Sequence, residues 1–179
     1  KSVKFKNYNY IGDPINAVKI FNDLKADELV FLDILASKEN RSISLDFVRY
    51  VGDEANMPFA VGGGIKSIKE IKDIINAGAE KVIINSYAIE NPDFIKEASD
   101  VFGSSTVVVS IDVKKKLFGK KQIYTYGGNK SSGKDPVNFA KLMEQKGAGE
   151  IIINSIENDG TMNGYDLQLI EDVSKAVTI

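Results

Sequence analysis

Short apolar runs alternate with helix-patterned stretches along the chain, and this alternation leaves few folds open. The runs are Leu29-Val30-Phe31-Leu32, Met57 to Val61, Lys81 to Asn85, Thr106 to Ile111 and Glu150 to Ile153. Each is near-continuous rather than alternating, as expected of strands buried on both faces of a parallel sheet. Between them, apolar residues recur at helical spacing. They are Ala17, Ile20, Phe21, Leu24; Leu45, Val48, Val51; Ile68, Ile71, Ile74, Ile75; Phe94, Ile95, Ala98; Phe139, Leu142, Met143; and Leu167, Ile170, Val173. Asp13-Pro14, Asn91-Pro92 and Asp135-Pro136 read as helix starts, with a capping side chain followed by proline at the first helical position. The helix marked by Ile68 to Ile75 is expected to open at about Lys66. The turns before three strands repeat one another: Ala26-Asp27-Glu28, Gly78-Ala79-Glu80-Lys81 and Gly147-Ala148-Gly149-Glu150. Lys1 to Tyr10, with Val3, Phe5 and Tyr8, fits a loop or frayed strand. Lys114 to Ser132 is a long polar insert, with Gln122 to Tyr126 as a hairpin strand and Gly127-Gly128-Asn129 as a turn. No linker or low-complexity tract interrupts the pattern. The expectation is one domain over residues 1–179, with five strands and six helices, forming a partial barrel or a short open sheet.

The absences narrow the chemistry. The 179 residues contain no cysteine and no histidine, which excludes disulfides, thiolate nucleophiles and histidine-based triads or metal clusters within this chain. Acid–base chemistry therefore falls to Asp, Glu, Lys or Tyr. A net charge of −2 gives no electrostatic reason to expect nucleic acid or an acidic membrane surface. No apolar run approaches the ~20 residues that span a bilayer. The chain begins at Lys1 rather than Met and stops at Val177-Thr178-Ile179, where a strand looks to be starting, so both ends are expected to continue.

Gly62, Gly63 and Gly64 end an apolar run just before a helix. Such a turn lets backbone approach a ligand and take φ > 0, and its amides make an anion site. It reads either as a phosphate cradle or as a tight turn with nothing bound. Strand parity places residues on common faces in columns. The columns are Glu28, Val30, Leu32; Lys81, Ile83, Asn85; Val108, Ser110, Asp112; and Glu150, Ile152, Asn154. If these face a barrel axis, one end is polar, the middle apolar and the other end charged. Asp112 is then either a general acid–base carboxylate or a structural one bonded to a loop amide. Asp33 has the opposite parity and reads as a loop holder. Asn85-Ser86 offers donors beside the glycine turn, or is a plain turn into a helix. Asp159-Gly160-Thr161 is either a functional loop or an ordinary Asp-Gly turn. Glu28, Lys81 and Glu150 form either an ion-pair ring or separate solvated charges. Lys114-Lys115-Lys116 is a solvated loop or an attractor of an anionic substrate.

Together these stretches resemble the cyclase subunit of imidazole glycerol phosphate synthase. The resemblance runs in order along essentially the whole chain. It is carried by Gly12–Asn22, Asp27–Ile34, Pro58–Ile65, Gly78–Ser86, Glu90–Ile95, Phe102–Asp112 and Gly147–Asp166. It implies an α/β fold, a (β/α)₈ TIM barrel, present here as strands 2–6 and their helices. The first strand and the last two would be missing. It implies a cytoplasmic enzyme without cofactor or metal, which uses ammonia from a partner glutaminase at the N-terminal face of the barrel. The substrate would be a bis-phosphate, a phosphoribulosyl aminoimidazole carboxamide. Carried over position by position, Asp112 would be catalytic. Lys1, Gly62, Gly63, Gly64, Asn85, Ser86, Asp159, Gly160 and Thr161 would bind phosphate or substrate. Glu28, Lys81 and Glu150 would be three members of an ammonia gate.

The resemblance also implies that a second catalytic aspartate, the gate's arginine and a second phosphate site lie outside these residues. Lys6–Asn22, Asp112–Lys121, Ser131–Lys141 and Asp159–Ile170 are similar in wording to paralogues found with surface-polysaccharide genes, which supply ammonia for an amidated sugar. That activity, and a non-catalytic module that activates a glutaminase, stand as alternatives.

Overall fold

The computed structural model describes residues 2–6, 10, 12–116 and 119–179. The expectations for Lys1 and Tyr8 fall outside them. Five strands form a parallel sheet: β1 (Leu29–Leu32), β2 (Phe59–Gly62), β3 (Lys81–Ile84), β4 (Val107–Lys115) and β7 (Glu150–Ser155). They pair in the order β1-β2-β3-β4-β7. The helices that precede, separate and follow them are α1 (Pro14–Asp23), α2 (Leu45–Glu54), α3 (Ile68–Asn76), α4 (Ser86–Glu90), α5 (Asp93–Phe102), α6 (Pro136–Gln145) and α7 (Leu167–Ser174). This is the expected strand–helix alternation, bent into an arc that backbone hydrogen bonds among the described residues do not close. From Asp112 to Lys115, β4 also pairs antiparallel with β5 (Lys121–Thr125), which pairs with β6 (Lys130–Ser131). The polar insert is thus a hairpin growing out of β4 itself.

The caps follow local chemistry. Asp13 accepts from the Ile15 amide at 2.8 Å and Asp135 from Asn138 at 2.9 Å. Ser44, Ser67 and Asp166 cap α2, α3 and α7 in the same way. Asn91 does not cap as expected. It closes α4, a short helix the pattern did not announce, and Pro92 occupies the N-cap of α5 without a side-chain bond. Val177 to Ile179 take no strand. Instead the Thr178 amide donates to Glu144 at 2.7 Å.

Helix α3 starts at Ile68 rather than Lys66 because a reciprocal Ser67–Glu70 capping box fixes its first turn. The Glu70 carboxylate also accepts from the Lys66 amide at 2.9 Å and from the Ser42 hydroxyl, tying α3 to the segment before α2. Burial raises the pKa of Glu70, but the donors Ser42, Lys66 and Ser67 outweigh it and hold the carboxyl below its ordinary value. Its contribution is therefore present above that value and lost as pH falls through the lowered one. Glu70→Ala is expected to cost about 1–2 kcal/mol at neutral pH. Urea unfolding should show the gap from wild type narrowing below about pH 4.

One face of the sheet packs on the helices through Val61, Val82, Ile84, Val109 and Ile111, against Val48, Val51, Ile71, Ile74, Ile95 and Met143. The opposite, concave face carries a smaller apolar layer: Ala60, Ile83 and Val108, with Ile152 against them. The column parity read from the sequence holds in this layer. Among the described residues no helix is long and apolar enough to cross a membrane.

Candidate active site

Asp112 projects from β4 on the concave face, opposite Asn154 of β7 in the sheet register. It is 7% exposed. Asn85 Nδ2 donates to its Oδ2 at 3.1 Å and Asn154 Nδ2 to its Oδ1 at 3.3 Å. Burial pushes its pKa up to about 6; the two asparagine donors lower it, and the nearby Asp159 charge raises it. No cation pairs with Asp112 among the described residues. A carboxyl in that state exchanges protons near neutrality, as a general acid–base group must.

The glycine turn lies across the same cavity, about 210 Å³ in volume. Protein neighbours demand the missing side chains here. A Cβ on Gly63 would lie 2.7 Å from Asp33 Cβ, and one on Gly64 would lie 1.8 Å from the Arg41 carbonyl oxygen. Asp33 holds that neighbouring loop, as its parity suggested. It accepts from the Leu35 and Ala36 amides at 3.1 Å and pairs with Arg41. Among the described residues, the amides of Gly64 and Ile65 donate to no protein acceptor. They are the anion donors the turn offers. The start of α3 adds less than the sequence suggested, because Ser67 and Glu70 already occupy it.

Asn85 and Ser86 also line the cavity. Asn85 Nδ2 bonds the Ser110 carbonyl at 3.0 Å as well as Asp112, and the Ser86 hydroxyl donates to Asn85 Oδ1 at 3.1 Å. Asp159 reaches the cavity edge and accepts from the Ser2 hydroxyl at 3.1 Å, while its carbonyl accepts from the Lys4 amide at 2.9 Å. Gly160 lets this N-terminal segment settle on the loop, since a Cβ there would lie 2.0 Å from the Ser2 carbonyl oxygen. Thr161 turns into its own loop, donating to the Asn158 carbonyl at 2.8 Å, and does not line this cavity. At the other end of the columns, Lys81 Nζ meets Glu28 at 2.9 Å and Glu150 at 2.6 Å. Asn85 is four residue steps on from Lys81, about 13 Å along the strand direction. The Glu150 and Glu28 bonds hold the Lys81 ammonium above its ordinary pKa.

Asn154, Ser110, Lys66 and Tyr126 line the cavity without having been given a role from sequence. Parity had put Ser110 and Asn154 on the right face. Which of them would face Asp112 depends on register, which no single strand records.

The profile of the histidine biosynthesis protein family matches residues 1–179. The chain is 48% identical over 180 residues to imidazole glycerol phosphate synthase subunit HisF of Pyrococcus furiosus, covering all of this chain and 71% of that one. It is 44% identical over 198 residues to the HisF subunit of Methanocaldococcus jannaschii, covering 100% and 73%. The HisF subunit of Prochlorococcus marinus strain AS9601 is 45% identical over 181 residues, with 100% and 71% covered. The chain belongs to the HisF family. Membership makes the arc of parallel strands part of a (β/α)₈ barrel. In HisF terms, Asp112 and the glycine turn sit at the C-terminal mouth of the strands, where barrels of this kind hold their active sites.

Proposed function

We propose that this HisF chain forms the cyclase of imidazole glycerol phosphate synthase in histidine biosynthesis, acting in the cytoplasm. It takes ammonia from a partner glutaminase and a phosphoribulosyl aminoimidazole carboxamide. It releases imidazole glycerol phosphate and an aminoimidazole carboxamide ribotide. The observation that carries this reading is the placement of a buried carboxyl with pKa about 6 across one cavity from a turn with free amides. Ring closure needs protons removed and returned, and Asp112 handles one such site. The Gly64 and Ile65 amides receive one phosphate of the substrate, and Asp159 closes the edge; Asn85 lines the same cavity with both Nδ2 protons already given to Ser110 and Asp112. A phosphate bound by backbone amides gains orientation without a mobile side chain.

The glutaminase docks at the opposite end, where Glu28, Lys81 and Glu150 meet. Between that end and Asp112 lies the apolar layer of Ala60, Ile83, Val108 and Ile152. Neutral ammonia crosses such a layer far more readily than ammonium, whose desolvation is costly. This supports a route through the strands' interior. In the full-length protein, Lys81→Ala should leave turnover on added ammonium salt near wild type and lower glutamine-supported turnover several-fold. Its stability should change by no more than about 1 kcal/mol. No turnover of the carboxamide substrate by the wild-type protein from either nitrogen source would reject the reading.

A further inference from the structure

The hairpin that grows from β4 comes back to touch the proposed catalytic carboxyl through two side chains. Tyr126, at the tip of β5, donates its amide to the Ser86 hydroxyl at 3.1 Å. Ser86 donates in turn to Asn85 Oδ1 at 3.1 Å, and Asn85 Nδ2 donates to Asp112 Oδ2 at 3.1 Å. We infer that the hairpin positions Asp112 through Ser86 and Asn85, which makes Ser86 a positioning residue for the proposed reaction. The inference rests on the role given to Asp112 above.

The direction of the chain is forced. The Ser110 carbonyl can only accept, so the Asn85 NH₂ must turn to it, and Oδ1 is left to take the Ser86 hydroxyl proton while Ser86 accepts from Tyr126 N–H. That fixes which end of the amide faces which way. Both protons of Nδ2 then go to acceptors, the Ser110 carbonyl and the Asp112 carboxylate. Asn85 holds the N-cap position of α4 yet makes no side-chain cap bond there, so its amide is committed inward. Ser86 is only 7% exposed. Serial bonds of this kind polarise and strengthen one another in a low-dielectric site.

The hairpin is built to hold its end. Tyr126 takes φ of +53°, which a residue with a side chain rarely adopts. Three bonds fix it there: its amide to Ser86, its hydroxyl to Glu90 at 2.6 Å, and its carbonyl to Asn129 Nδ2 at 2.7 Å. Lys134 Nζ adds a bond to the Ile89 carbonyl at 2.6 Å. The hairpin and the segment behind it are thereby stapled to both ends of α4. Holding a residue in that region costs free energy, which these bonds offset.

Other titratable groups face the same cavity among the described residues: Asp159 from the loop after β7, Asp33 from the turn after β1, Lys66 from the glycine turn, and Tyr87 and Tyr126 from α4 and the hairpin. None of them bonds to Asp112, and Tyr124, its partner in the β5 register, bonds through backbone. The relay is therefore the adjustable donor on Oδ2.

The test follows the carboxyl itself. Carbon-13 NMR of aspartate carboxyl groups gives the Asp112 midpoint in the ligand-free full-length protein. Ser86→Ala is expected to raise that midpoint by about half a pH unit or more, because a donor to the charged form is loosened. Ser86→Thr keeps the hydroxyl and should restore the wild-type midpoint. The Asp166 midpoint, far from the relay, should stay put in both. Tyr126→Phe cuts only the Glu90 anchor and should move the Asp112 midpoint the same way by less; it decides the matter if Ser86→Ala does not fold. No movement in either variant overturns the inference. A rise in KM for the carboxamide substrate with an unmoved midpoint also overturns it, since that is the behaviour of a mere phosphate ligand. The titration needs no substrate, so it stands apart from the success or failure of the cyclase reading.

Discussion

Asp112→Asn is expected to lower turnover of the full-length enzyme by about 10²- to 10⁴-fold, the usual contribution of a positioned acid–base group. The same substitution should make the protein more stable at neutral pH. Burial lifts the Asp112 pKa to about 6 in the folded protein, from an ordinary aspartate value of about 3.9. Its folded pKa is raised, so between those values the folded protein holds a proton that the unfolded chain has released. Stability contributed at this position is then present at acid pH and lost as pH rises through about 6. Burying the carboxylate costs on the order of 3 kcal/mol above that pH. Asn lifts that cost but brings an NH₂ group toward the donors of Asn85 and Asn154, and one of them must turn. A net gain of about 1–2 kcal/mol at neutral pH is the expected outcome. Urea unfolding at about pH 7.5 and about pH 4 should show the gain at the first and its disappearance at the second. Turnover equal to wild type would remove Asp112 from the chemistry. Lost turnover with lost stability at neutral pH would mark it as a structural carboxylate instead.

What the sequence revealed was what depends on one strand or one turn at a time. The two-residue period of a strand is geometric, so the faces of Lys81, Ile83 and Asn85, or of Val108, Ser110 and Asp112, followed without tertiary knowledge. Asp13 and Asp135 capped as expected because capping is settled within three residues. Asn91 did not, because α4 ends on it, and α4 is too short to show a helical period. What stayed hidden depends on stagger between strands. Ile83 lies opposite Val108, and Val108 opposite Glu150, so Lys81 is two residues below the level of Glu150. The ion pairs form only because lysine is long. The same stagger puts Asn154 opposite Asp112 and leaves Asn85 level with Ser110, which is why Asn85 reaches both. The hairpin's contact with Ser86 spans 40 residues of sequence. No local pattern encodes it.

The glycine turn offers the largest expected loss of stability from one added methyl group. Gly64 has φ of +66°, and its Cβ would fall 1.8 Å from the Arg41 carbonyl oxygen. The positive φ alone costs an alanine about 1–2 kcal/mol. Relieving the overlap means moving backbone on one side or the other, which adds about 1–3 kcal/mol. Gly64→Ala should therefore destabilise the protein by about 2–5 kcal/mol, a melting-temperature drop of about 4–20 °C for a chain of this size. Gly133 is the control. Its φ is +74°, and an added Cβ would meet nothing within 4 Å. Gly133→Ala should cost only the conformational part, about 1–2 kcal/mol. Equal losses at the two positions would mean that the approach of Arg41 to the turn is looser than it looks. The comparison also bears on what glycine means at this place. If the protein's own backbone already forbids a side chain at Gly64, the residue's identity says nothing about a ligand. The case for a phosphate then rests on the unpaired amides of Gly64 and Ile65, and on their position across the cavity from Asp112.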